Sequence, residues 1–452
     1  MTATTQQLVH FAVNSKPSDV PEAVIHEAKR TVLNWLGCSI AGSRTESVDC
    51  ALAAVNDLSG PRLATVLGRS ERLDISNAAF VNGVSADVLS FSDTHPATLM
   101  HPGGVVGCAA LALAERGKVS GKDFLHALII GYDIGCRIGL SVYPWHYNRG
   151  WHITGTAGIF GSTAASGRLL GLNERQMVWA MGIAATQAAG LREMFGSMCK
   201  NLHIGRAAQN GLLAALLAQK NFTSSEQSLE APRGYMRVLG ENPNLEIVTS
   251  DLGTRYEIAT NTYKPYPCGV VIHPIIEGCI TLATQHHIDP AAVRKIVLRC
   301  CPLVLELCGK KTPKNTLEAK LSVFYSAAVA VVARRVAERE YGDEFLGNAA
   351  VIRLRDSVTV ETDAAIREDE THVTLEMSDG QRVQCHIDHV TGSVDRPMSD
   401  HDMVQKFHGL VEPILPKARI EQLVDACWNI TQLDDVSTLA RLASTASIAT
   451  AA

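Results

Sequence analysis

At 452 residues the chain is too long for a single hydrophobic core, so two domains are expected. A formal net charge of -5 excludes bulk attraction to nucleic acid or to acidic membranes, so an anionic ligand has to be held by a local pocket. Hydrophobic residues make up 46% of the sequence but aromatic ones only 5%, a balance that suits helices spaced by alanine and glycine. The 12 cysteines are scattered through apolar stretches (Cys38, Cys108, Cys136, Cys279, Cys427) without a CxxC, which reads as buried free thiols in a reducing compartment. Met1 to Val13 lacks the pattern of a signal peptide, and the longest uncharged run, Trp151 to Gly167, is rich in Gly, Ser and Thr. A soluble, cytoplasmic protein with neither membrane nor nucleic-acid partners is expected.

Ser18-Asp19-Val20-Pro21 is a helix-start signature, and Val24, Ala28, Val32, Leu33 and Leu36 continue at helical spacing to Gly42. Ser47 to Leu58 reads as a second helix, Ala64 to Leu67 as a short strand, and residues 74–90 as a helix leading into Asp93-Thr94-His95-Pro96-Ala97-Thr98-Leu99-Met100-His101-Pro102-Gly103-Gly104. Pro96 and Pro102 deny backbone donors and push the residues before them out of the helical region, so Asp93 to Met100 is expected to be an irregular loop. From Gly103 an apolar run predicts a buried helix to Glu115, with His101 at its N-terminus, where free N–H groups and the macrodipole favour an anion such as a carboxylate. The same residues also fit a capped turn with a hydrogen-bonded structural histidine.

Ser120 starts a helix running to Leu140, and Tyr143 to His152, which has no apolar period, reads as a lid or a second site segment. Residues 154–170, 174–190 and 207–218 predict three helices with small-residue faces. Between the last two, Leu191 to Gly205 is expected to be a loop that sets Lys200 and His203 at the mouth of the third. After residue 260 come an extended linker, a helix from Val271 to Thr284 carrying His273, and a helix from Leu321 to Glu340 that opens with Lys320, Ser322 and Tyr325. Strands are expected at Lys295 to Cys301, Val351 to Arg355 and Val358 to Glu361. Val373 to Met377 and Val383 to Ile387 form a hairpin around Asp379-Gly380. Ser399 to Leu410 and Ile420 to Leu433 return to helix, and residues 443–452 read as a disordered tail. The expected fold is mainly α, with an all-helical domain (1–262 and 398–452) and a smaller α/β domain (263–397).

Five pieces of this chain follow one another in a telling order: Phe91-Ser92-Asp93-Thr94-His95 with His101-Pro102-Gly103; Gly150-Trp151-His152; Gly190-Leu191-Arg192-Glu193-Met194-Phe195-Gly196 with Lys200 to Ala208; Tyr263 to Cys268 with His273; and Glu318 to Ser322 with Tyr325. Together they resemble the MmgE/PrpD family, which includes 2-methylcitrate dehydratases, cis-aconitate decarboxylases and iminodisuccinate epimerases. The resemblance implies a large helical domain with an inserted α/β lid, a homodimer, a metal-free and cofactor-free cleft, and site residues at Asp93, Thr94, His101, His152, Lys200, His273 and Tyr325. From the residues alone, His273 would be structural and Tyr325 part of a core-facing helix. Ser90 stands where decarboxylase relatives carry a carboxylate, the loop from Thr94 to His101 is longer than theirs, and Asn201 replaces their proline.

Proton transfer at the carbon next to a carboxylate concentrates negative charge on oxygen, so fixed cations and donors must face it. Lys200, His203 and the helix start at Gly103 are candidates, with Arg192 as a bidentate contact and Thr94, His95 and Lys320 as further substrate-binding groups. His101, His152 and His273 are the candidate proton carriers, oriented by Asp93 or a tyrosine. The close histidine pairs His95/His101, His286/His287 and His386/His389 lack the spacing of a zinc site and read as structural or incidental. The expected activity is a cofactor-independent lyase acting on a small di- or tricarboxylate. Dehydration is favoured over decarboxylation by Ser90 and the altered loop. Epimerisation of an amino- or imino-dicarboxylate and non-catalytic carboxylate binding are the alternatives.

Overall fold

A computed structural model describes residues 4–446. The chain forms two compact units. A helical unit comprises Ser92–Asn261 with the chain before Leu89 and from Ser399 onward, and a sheet unit comprises Thr262–Met398 with the short segment Leu89–Phe91.

The helical unit is built on α1 (Glu22–Gly42), α2 (Ile75–Val88), α3 (Pro102–Ala114), α4 (Gly121–Val142), α5 (Gly158–Leu169), α6 (Glu174–Ala185) and α7 (Cys199–Gln219). Every residue of α3 is buried, as a helix apolar on all sides requires, and Pro102 opens it at a position whose N–H would have no partner in the helix. α4 is long and apolar enough to cross a membrane, yet 94% of its apolar window is buried inside the protein. Its two mid-helix charges neutralise each other, Arg137 Nε donating to Asp133 Oδ2 at 2.6 Å.

α2 and α7 cross where glycine faces glycine, since a Cβ on Gly83 would lie 2.7 Å from the Gly205 Cα. Asp87 follows Gly83 by about one turn and Lys200 precedes Gly205 by little more, so this close crossing brings the two side chains to the same end. The expected loop from Leu191 to Gly205 is therefore corrected. The helix starts at Cys199, so Lys200 stands in the first turn of α7 and His203 in the second, and Gly205 is the contact that α2 needs.

The sheet unit contains α8 (His273–Gln285), β1 (Val293–Cys300), α9 (Val323–Ala333), α10 (Ala349–Ser357), β2 (Val358–Thr362), β3 (Thr371–Met377) and β4 (Arg382–Ile387). The strand order is β2-β1-β3-β4, parallel between β1 and β2 and antiparallel elsewhere. Gly380, with φ of 90°, makes the hairpin turn between β3 and β4. The strand expected at Val351 to Arg355 is a helix, because Asn348 caps it by accepting from Ala350 and Val351 N–H and because Val351 and Leu354 are buried at a helical interval. The helix expected to reach Glu340 ends at Ala333, where Arg334 turns left-handed with φ of 55°.

The chain then returns to the helical unit through α11 (Asp400–Val411) and α12 (Lys417–Trp428), both packed on α1. Arg30 pairs with Asp400, and Lys406 Nζ donates to Asn34 Oδ1 at 2.7 Å. The start of the expected tail is tethered, because Ser444 Oγ and Thr445 N both donate to the Arg69 carbonyl. Residues 447–452 lie outside the described residues.

Candidate active site

The stretch Asp93 to Met100 is irregular, closed by a single bridge between His95 and Met100 and bent at Leu99, whose φ is 59°. It delivers His101 to the N-cap of α3. His101 Nδ1 donates to the Asp93 carbonyl at 2.8 Å, with Thr94 Oγ1 at 3.2 Å, so Nε2 carries the lone pair of the neutral ring. Its backbone N–H is held by Thr154 Oγ1 at 3.1 Å.

Asp93 is fully buried beneath this loop. Its Oδ2 accepts from Gly103 N–H at 3.1 Å and from Asn261 Nδ2 at 3.2 Å, while Oδ1 has no hydrogen-bond partner among the described residues. Only glycine fits at 103, because a Cβ there would lie 2.6 Å from Oδ1. Burial outweighs the two donors and the distant Lys406 charge, and pushes the carboxyl up to about 6. Asp93 is thus an acid that holds its proton into the mildly acidic range.

Lys200 is fixed from the other side. Its Nζ donates to Asp87 Oδ2 at 2.5 Å, and Ser92 Oγ donates to Asp87 Oδ1 at 2.6 Å. Asp87, missed in the sequence, is nearly fully buried in α2. The available signal was a carboxylate between Ala86 and Val88 in a helix apolar on every side, which has to find a cation or strong donors.

His152 and His203 meet at 2.8 Å between their Nδ1 atoms. One ring donates and the other accepts, so in the neutral pair the two Nε2 atoms differ, one an N–H donor and one a lone-pair base. Burial, then the charge of Lys200, holds both rings below the ordinary histidine range, and for His152 the charges of His203 and His101 add to this. Asp87 opposes the shift at both. Phe195 lies between the lysine and the histidine pair, its ring centroid 5.0 Å from that of His152 in an edge-to-face contact and 5.9 Å from Lys200 Nζ.

Other expected site residues are engaged elsewhere. His95 is fully buried, with Nδ1 on Thr98 Oγ1 at 2.8 Å and Nε2 on Glu257 at 3.2 Å, so it anchors the loop instead of binding substrate. Arg192 donates to the Tyr147 carbonyl at 2.9 Å and stacks over the Tyr147 ring at 4.1 Å, which ties down the Tyr143 to His152 segment. In the sheet unit, Lys320 donates to both Glu338 carboxylate oxygens at 2.8 Å and to the Leu89 carbonyl at 2.9 Å. The Tyr325 hydroxyl donates to the Glu340 carbonyl at 2.6 Å, and burial raises its pKa further. His273 begins α8, buried, with its ring edge-on to Tyr266 at 5.5 Å.

The MmgE/PrpD N-terminal domain matches residues 6–248 and the MmgE/PrpD C-terminal domain residues 266–430. The chain is 27% identical to a cis-aconitate decarboxylase of Aspergillus terreus over 97% of its own length and 95% of that protein's. It is 28% identical to a cis-aconitate decarboxylase-like protein of Aspergillus oryzae, covering 97% of each, and 27% identical to the cis-aconitate decarboxylase of Homo sapiens, covering 94% of the chain and 92% of the relative. The chain is an enzyme of the MmgE/PrpD family.

Proposed function

We propose that the enzyme is a lyase that releases CO2 from a small di- or tricarboxylate by proton transfer and bond cleavage next to a carboxylate. The observation that carries this reading is the Lys200 ammonium fixed beside imidazoles that burial keeps neutral. The carbon–carbon bond to the departing carboxylate breaks, its electron pair passes onto a retained carboxylate, and a proton from a site acid completes the product. Lys200 opposes the charge as it grows. His101 and the His152–His203 pair hold and return protons, and Asp93 is the acid behind them.

Relatives named as decarboxylases, matched over nearly the whole chain, support CO2 release over the dehydration that Ser90 favours. Dehydration is the second reading, because the raised pKa of Asp93 suits an acid that protonates a departing hydroxide. Side chains supply the acid, base and cation of either reaction, so neither calls for a cofactor. The reading extends to a homodimer, for which the exposed Leu191, Met198 and Leu202 of the helical unit offer apolar side chains. The 12 cysteines, none of them in a disulfide among the described residues, suit a cytoplasmic setting.

Incubating the enzyme in deuterated water with cis-aconitate, and separately with a citrate-type hydroxy acid, tests this by NMR. CO2 release with solvent deuterium in the product, abolished in His101→Gln, is expected. Loss of water from the hydroxy acid alone would establish the second reading in its place. Deuterium in an unbroken substrate, or binding without turnover, would overturn both.

A further inference from the structure

The sequence sets His386 beside His389, but the sheet sets it beside His372. These two residues are directly opposed in the β3/β4 register, and their rings stack in parallel, centroids 4.2 Å apart and planes within 7°. Thr371, Val373 and Leu375 of β3 are buried while His372 is only half-buried and His386 exposed, so the pair lies on the face of the hairpin turned away from the core. Glu370, two residues before His372, reaches the same face and places Oε1 3.0 Å from His386 Nε2. One ligand atom from each of Glu370, His372 and His386 lies within 4.8 Å of the other two.

We propose that Glu370, His372 and His386 form a surface site for a divalent transition-metal ion of the zinc, nickel or copper class. Two imidazole nitrogens and one carboxylate oxygen are the donors such ions favour over magnesium or calcium. Two strands in fixed register hold the histidines, so little ordering remains to be done when the ion arrives. Arg367 takes Glu370 Oε2 at 3.2 Å, which leaves Oε1 turned toward the histidines.

Two cations face the site. Arg367 is shared among Asp369, Glu370 and Asp388, and Arg299, opposite His372 on β1, is paired with Asp363. Asp363, Asp369 and Asp388 offset them, and Asp395 pairs with the neighbouring His389. Burial and the neighbouring His386 and Arg299 lower the pKa of His372, favouring the neutral ring that a metal requires. Three protein ligands leave a position for water, and the ion clips the edge strand β4 to β3. Asp369, His389 and Asp395 make an adjacent trio, but with only one nitrogen it suits these ions less well.

Titration of the full-length protein with zinc by calorimetry, and with cobalt by absorption, tests the site. One zinc per chain is expected. In the His372→Asn/His386→Asn double variant, with its circular dichroism unchanged, binding should fall by at least the roughly 10–100-fold that losing an outer partner of a metal ligand costs. His389→Asn should bind as the wild type does. Bound cobalt should show ligand-field bands without thiolate charge transfer. No zinc binding by the wild type, equal binding by the double variant, loss of binding in His389→Asn, or a thiolate band would each overturn the proposal. None of these readouts depends on turnover, so the site stands or falls independently of the lyase reading.

Discussion

One cluster in each unit puts histidine and lysine to opposite uses. In the helical unit, His152 and His203 are buried against Lys200 and stay neutral, whereas in the sheet unit His386 and His389 face carboxylates at the surface, and the bond to Asp369 raises the pKa of His389. Each unit also buries a lysine against a carboxylate. Lys200 meets Asp87 in the midst of imidazoles, while Lys320 meets Glu338 and a backbone carbonyl with no titrating ring among its bonded partners. The difference between proton chemistry and scaffolding thus lies in what surrounds a charge, since the residue types are the same.

Neutralising each lysine should break this comparison most sharply. Lys200→Met is expected to lower kcat/KM by about 10²–10³-fold, the scale of losing one fixed donor to a developing negative charge. Lys320→Met should instead cost roughly 1–3 kcal/mol of stability through its unsatisfied partners, with kcat little changed. Steady-state kinetics beside denaturant unfolding separates the two, and equal kinetic losses would erase the distinction.

Both lysines read from the sequence as site residues, so this contrast was not legible in it, whereas several local elements were. Pro96 and Pro102 announced the loop, and the apolar run after Gly103 announced α3, because both signals are local. Lys200 and His203 were expected at the mouth of a helix from Ala207, because charge and glycine amid apolar residues suggested a loop, and only the fold shows Gly205 packed against Gly83 inside the helix. His95 and Arg192 have the chemistry of substrate ligands, and only the fold reveals Glu257 and Tyr147 already holding them. Asp87 and the His372–His386 pair depend on partners distant in the chain, so neither could be read from spacing.

A pH series sharpens the comparison at Asp93. Its folded pKa of about 6 lies above the ordinary 3.8, so the stability it contributes is complete below pH 3.8 and is lost as the pH rises to about 6. The loss amounts to roughly 3 kcal/mol. Asp93→Asn has no proton to lose, so it should gain on the wild type by about that amount between pH 4 and 6 and keep a constant offset above. Denaturant unfolding at a series of pH values checks this, and parallel curves would mean that the carboxyl titrates normally.

The smallest effect belongs to His389, the half-buried counterpart of His152. Its pKa is raised from the ordinary 6.5, first by the bond to Asp369, so the stability it adds is present below pH 6.5 and disappears as the pH passes through the folded value. His389→Asn should therefore lower Tm slightly at about pH 5.5, match the wild type at about pH 8.5, and leave turnover untouched at both. His152→Asn should do the reverse, removing turnover at both pH values without a Tm difference that closes on the alkaline side. A His389→Asn enzyme with altered turnover, or with a Tm difference that persists at about pH 8.5, would overturn this assignment.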